Sequence, residues 1–237
     1  IAQFRAELAL AMRQGEQLLV SLGIPVMVLV FFSLVEVLPL PDGTDDSIDV
    51  LAPGVLALAV LSTAMVSLGI ATGFERQYGV LKRLGATPLG RPRLLMAKTA
   101  LVLCVEAIQF AVLVPVALAL GWAPDGPVLL AVPAVLLGTG AFAGLGLLMA
   151  GTLRGTTTLA AANGLYVVLL LSGGMVFPLS ELPGPLATVA RLGPAGALVQ
   201  TLTASFDGGA APLGAWAVQA VWAVVTPLAA TRLFRWE

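Results

Sequence analysis

Residues 74–98 read FERQYGVLKRLGATPLGRPRLLMAK, and this is the one long stretch of the chain that is not simply apolar. It holds six of the twelve basic residues, Arg76, Lys82, Arg83, Arg91, Arg93 and Lys98, with Glu75 as its only acid. Apolar residues recur at Phe74, Tyr78, Leu81 and Leu84, the spacing of one helical face, while Glu75, Arg76, Lys82 and Arg83 lie largely off it. The pattern predicts a short amphipathic helix over about 74–84, stopped by Gly85 and the following Pro88. Apolar segments long enough to cross a bilayer flank it on both sides. A basic helix between two spans belongs on the cytoplasmic side, and its shape suits docking of a soluble partner.

The chain as a whole agrees with a membrane setting. Of its 237 residues 59% are hydrophobic and 11% charged, with a mean hydropathy of +1.00. Soluble domains carry about 25% charged residues. The expected fold is therefore all-α and polytopic. Working outward from 74–98, spans are expected at about 18–38, 53–73, 94–120, 128–150, 159–177 and 213–234. Ahead of them, residues 1–17 carry Phe4, Leu8, Ala11 and Met12 on one side, predicting an amphipathic helix in the membrane interface or a cytoplasmic tail. They lack the n-region and cleavage site of a signal peptide.

Six spans put both ends on one side. With both termini cytoplasmic, only Arg191 of the twelve bases falls outside, as the positive-inside rule requires. The loop with Asp42, Asp45, Asp46 and Asp49 is then an acidic outer loop without the ligand spacing of a calcium site. Residues 178–211, chopped by Pro178, Pro183, Pro185 and Pro194, are too long for a turn and too broken for a span. Much of that stretch is apolar, so short helices in or dipping into the outer leaflet are expected. In the fourth span, Gly140 and Gly144 form a small-xxx-small pair that permits close helix approach.

Chemistry-bearing motifs are sparse. There is no histidine, and the single cysteine, Cys104, lies in an apolar segment. Neither Lys82 nor Lys98 follows a glycine, which rules out the G-x-x-x-x-G-K-[ST] phosphate loop. No catalytic motif and no metal-ligand set is present, so no catalytic residue is assigned. Glu106 is the acid deep in a span, with Gln109 on the same helix face. A charge at mid-bilayer costs about 2.5–3.5 kcal/mol, offset by about 0.3–0.6 kcal/mol from each surrounding Leu or Val. Two readings stay open: Glu106 and Gln109 line a polar cavity that meets cargo, or they hydrogen-bond a neighbouring helix and fix packing.

Two motifs give the sequence a family likeness. Residues 74–98 resemble the E-R-x-x-G-x-L-x-x-L-x-x-[ST]-P segment and basic patch of the permease subunit of ABC-2 type ABC transporters, with Glu75, Arg76, Gly79, Leu81, Leu84, Thr87 and Pro88 in place. Residues 173–194, GGMVFPLSELPGPLATVARLGP, are similar to that family's F-P-x-x-x-[LM]-P segment, with Phe177, Pro178, Leu182, Pro183 and Pro194 matching. The resemblance implies an export permease in a bacterial cytoplasmic membrane, paired with a second copy or a homologous permease. Separate ATPase subunits would dock below and carry the ATP and Mg; this chain would bind no cofactor and no nucleic acid. Phe74, Glu75, Arg76, Tyr78, Gly79, Leu81 and Leu84 would form the coupling helix seated in the ATPase, with Glu75 and Arg76 at its rim. Phe177, Pro178, Leu182 and Pro183 would belong to an outer lid over 178–211. Small amphipathic compounds, drug-like or lipid, fit a permease without an outer domain; polysaccharide or glycolipid export is the alternative within the family. A secondary transporter would show an internal repeat and interrupted spans, and no repeat is evident.

Overall fold

The computed structural model describes residues 15–34, 47–85, 91–176, 178–179, 182–208 and 212–235. The amphipathic stretch expected before the first span lies outside them except for the start of α1. The acidic positions 42, 45 and 46 also lie outside them.

Helix α1 (Gly15–Leu34) is followed by α2 (Ser47–Val60), a π-helical segment (Leu61–Ser67) and α3 (Leu68–Gln77). These last three run on as one apolar column, Ile48–Gln77, 30 residues long and the most buried of the five helices among the described residues that are long and apolar enough to cross a membrane. The other four are Arg93–Ala119 within α5 (Arg91–Ala119), Val128–Thr152 ending in α6 (Ala131–Thr152), α7 (Gly155–Ser172) and α10 (Leu213–Leu233). A short helix α4 (Val80–Gly85) precedes α5, and α8 (Gly184–Leu192) and α9 (Pro194–Phe206) precede α10. The expected first span falls on α1, whose described apolar part is Leu22–Ser33; residues 35–38 lie outside the described residues. The fifth span begins earlier than expected, straight after the extended Leu153–Arg154 pair, and ends earlier because Gly173 and Gly174 close α7, Gly174 with φ +79°.

The second span occupies the centre. Nearly every residue from Leu51 to Met65 is buried, and α1, α5, α6, α7 and α9 all contact this column. In a bilayer, helices gain little from apolar contact alone, so close packing of small residues decides who neighbours whom. Gly146 of α6 lies against the π segment, where a Cβ would come within 2.6 Å of the Met65 carbonyl oxygen, and Gly69 faces the Gly146 backbone. On the other side of α6, Gly144 lies under α10, where a Cβ would stand 2.6 Å from the Pro227 nitrogen. Its partner in the expected pair, Gly140, is in ordinary contact with Ala223 at 3.8 Å. Thr226 Oγ1 donates to the Ala141 carbonyl at 2.8 Å across the same contact. Helix α6 is thus clamped between the central column and α10.

The stretch expected as an outer lid of short helices divides in two. Helix α8 keeps Leu186, Val189 and Leu192 exposed and buries Ala187 and Ala190. Helix α9 is instead part of the core: Ala195, Ala197, Leu198, Val199, Leu202 and Phe206 are buried against α2, α6 and α10. Its buried hydroxyls, Thr201 and Ser205, are hydrogen-bonded inside. Thr201 Oγ1 donates to Gln219 Oε1 at 2.9 Å, and Gln219 Nε2 donates to the Ala134 carbonyl at 2.7 Å. The loop after α5 folds back onto the end of α9, with the Gly126 N–H donating to the Phe206 carbonyl at 2.6 Å and Trp122 edge-on to Phe206 at 4.8 Å.

Candidate functional site

Residues 74–84 do not form one helix. Phe74–Gln77 are the last turn of α3; the chain then breaks at Tyr78–Gly79 and restarts as α4. Gly79 has φ +72°, a left-handed conformation that costs a residue with a Cβ. Its N–H caps the Arg76 carbonyl at 3.0 Å, and the Tyr78 N–H bonds the Phe74 carbonyl at 2.9 Å. The periodicity across 74–84 had implied one continuous face, and the glycine turn re-aims its second half.

The apolar stripe is split accordingly. Tyr78 is 71% exposed and stacks on the half-buried Phe74, with ring centroids 6.1 Å apart and 18° between planes. Leu81, which the resemblance placed on the coupling helix, is fully buried in the chain's own core. Val80, not singled out by the sequence pattern, is exposed, as are Lys82 and Arg83. The Leu84 side chain and residues 86–90 lie outside the described residues.

The two charges expected at a partner's rim turn back into the protein. Glu75 pairs with Lys98 of α5, Nζ standing 2.7 Å from Oε2 and donating to Oε1 at 2.9 Å. The Lys98 side chain is 3% exposed and that of Glu75 28%. Arg76 Nη2 donates to the carbonyl of Leu153, the residue that caps α6, at 2.6 Å. A cation at a helix C-terminus is favoured by the helix dipole and by the unpaired carbonyls there. Nearby, the Arg235 N–H donates to the Gly151 carbonyl at 3.1 Å and Phe234 is buried, so the end of α10 closes on the same turn of α6.

Deep in the bundle, Glu106 and Gln109 share a face of α5, but bond different elements. Thr139 of α6 donates to Glu106 Oε2 at 2.6 Å, and Thr63 of the π segment donates to Gln109 Oε1 at 3.0 Å. Both α5 side chains are buried, at 1% and 2% exposure. Glu106 Oε1 has no hydrogen-bond partner among the described residues. Of the expected lid residues, Pro178 and Leu182 are half-buried and Pro183 is exposed, its carbonyl accepting from the Ala187 N–H at the start of α8. Phe177 lies outside the described residues. No group of three acidic or cysteine side chains placed to hold a metal occurs among the described residues.

The profile of the ABC-2 type transporter family matches residues 1–206, most of the chain. The chain belongs to the ABC-2 type transporter family. A comparison with curated proteins returned no match. Membership makes it an integral membrane permease subunit of an ABC transporter and implies an ATPase partner. Tyr78, Val80, Lys82 and Arg83 are exposed where the chain leaves the central column. The partners that sequence reasoning missed are Lys98, Leu153, Thr139 and Thr63. Only Lys98 left a trace, as the last base of the segment; the others are a backbone carbonyl and two threonines in apolar runs.

Proposed function

We propose that this chain is the membrane-spanning half of an ATP-driven exporter of small amphipathic compounds, drug-like or lipid, and that its ATPase docks at the Tyr78–Arg83 turn. It acts in a bacterial cytoplasmic membrane with both termini inside, paired with a second copy or a homologous permease. ATP and Mg are held by the ATPase. The observation that carries the docking assignment is Tyr78: a large aromatic, 71% exposed, at the end of a span whose neighbouring charges are engaged within the chain. Exposed Tyr78 and Val80, rimmed by Lys82 and Arg83, offer an apolar anchor with a polar edge. The preference for small cargo follows from the Gly121–Pro127 connection, a short loop that packs back on α9.

Truncating aromatic anchors at an interface centre costs about 2 kcal/mol or more. Tyr78→Ala with Val80→Ala should therefore release the ATPase on co-purification, with the thermal midpoint of the permease unchanged. Leu81→Ala is the control: it empties a buried site and should lower the midpoint, as core Leu→Ala changes do by about 2–5 kcal/mol. A Tyr78/Val80 double variant that co-purifies and transports like the parent places the dock elsewhere.

A further inference from the structure

Consecutive residues in a helix point about 100° apart, since 3.6 residues make a turn. At the end of α3 this sends Glu75 to one neighbouring span and Arg76 to another. Glu75 grips α5 through Lys98, whose ammonium group is almost wholly buried. Arg76 grips the C-terminal end of α6 through the Leu153 carbonyl at 2.6 Å. Tyr78 and the Gly79 turn follow directly. The last turn of α3 is therefore fixed to two further spans at the point where the chain leaves the bundle.

We infer that Glu75 and Lys98 are positioning residues that transmit the displacement of the Tyr78 turn into α5, with Arg76 doing the same for α6, and that neither Glu75 nor Arg76 works by touching the ATPase. The inference rests on the docking assignment above. Its physical basis is that the buried Lys98 charge cannot be left without its carboxylate at low cost. When the turn moves, α5 follows the ion pair rather than sliding past it. Helix α5 also carries Glu106 and Gln109, which bond α6 and the π segment, so a shift of α5 is felt at mid-membrane.

The test uses the full permease with its ATPase in liposomes, reading co-purification, basal ATP hydrolysis and substrate-stimulated hydrolysis. Glu75→Gln and Lys98→Gln should each retain the ATPase and its basal hydrolysis. Substrate stimulation should be lost, with hydrolysis in the presence of substrate falling to the basal rate. The exchanged pair, Glu75→Lys with Lys98→Glu, should recover most of it. If a single variant fails to accumulate, the exchanged pair alone decides: stimulation near the parent's supports the relay, and its absence overturns it. Single variants that lose the ATPase would make Glu75 a docking residue, and single variants that stay fully stimulated would remove the relay; either result overturns the inference and leaves the Tyr78 dock standing. A parent permease that retains no ATPase sinks the docking reading itself, and this inference with it.

Discussion

Thr139 donates its hydroxyl hydrogen bond to Glu106 Oε2 at 2.6 Å across the α5–α6 contact, with both side chains buried. Hydrogen bonds between membrane helices contribute about 0.6 kcal/mol on average and up to about 1.7 kcal/mol. Thr139→Val should thus lower the thermal midpoint in detergent slightly. Glu106→Gln keeps an acceptor oxygen and should leave the midpoint and transport unchanged, whereas Glu106→Leu should resemble Thr139→Val. A selective loss of cationic cargo in Glu106→Gln, at an unchanged midpoint, would show instead that the carboxyl serves transport.

The two glycines of the small-xxx-small pair should behave differently. A Cβ at Gly144 would press on the Thr226–Pro227 backbone of α10, which cannot swing aside, while one at Gly140 would meet Ala223 at 3.8 Å. Overpacking costs about 1–3 kcal/mol. Gly144→Ala should lower the thermal midpoint, and Gly140→Ala should leave it unchanged or raise it through helix propensity, by up to about 1 kcal/mol. Equal losses at the two positions would mean that α10 does not cross α6 where the structure puts it.

Orientation can be read with single cysteines in a Cys104→Ala background. Arg83 and Asp207 are both exposed and lie outside the helices that are long and apolar enough to cross a membrane among the described residues. On intact cells an impermeant thiol reagent should label Asp207→Cys and spare Arg83→Cys, with both labelled after permeabilisation. The reverse pattern would put the basic turn outside and remove it from any cytoplasmic partner.

The sequence by itself determined the fold class and set the polar, basic segment 74–98 between two long apolar ones. A span needs roughly 20 apolar residues to cross about 30 Å of hydrocarbon, and glycine, proline and charge punctuate the chain where it leaves that medium. Those are local properties, legible in Ile48–Gln77 or Leu213–Leu233 without knowing any neighbour. Periodicity also placed Glu106 and Gln109 on one face of α5, but a face does not name its partner. That Glu75 meets Lys98, 23 residues on, and Arg76 meets Leu153, 77 residues on, became visible only once the spans were packed. The same holds for Leu81, which shares a stripe with Tyr78 in the sequence yet turns inward because Gly79 reverses the backbone between them. The π segment Leu61–Ser67 mixes small hydroxyl residues with apolar ones inside a buried column, and no stripe of one period marks its change of helical winding. Helix α9 marks the limit most clearly. Its 13 residues are too short to span and too apolar to read as exposed or buried. Only the close approach of α2, α6 and α10 around its small side chains put it in the core rather than on the surface.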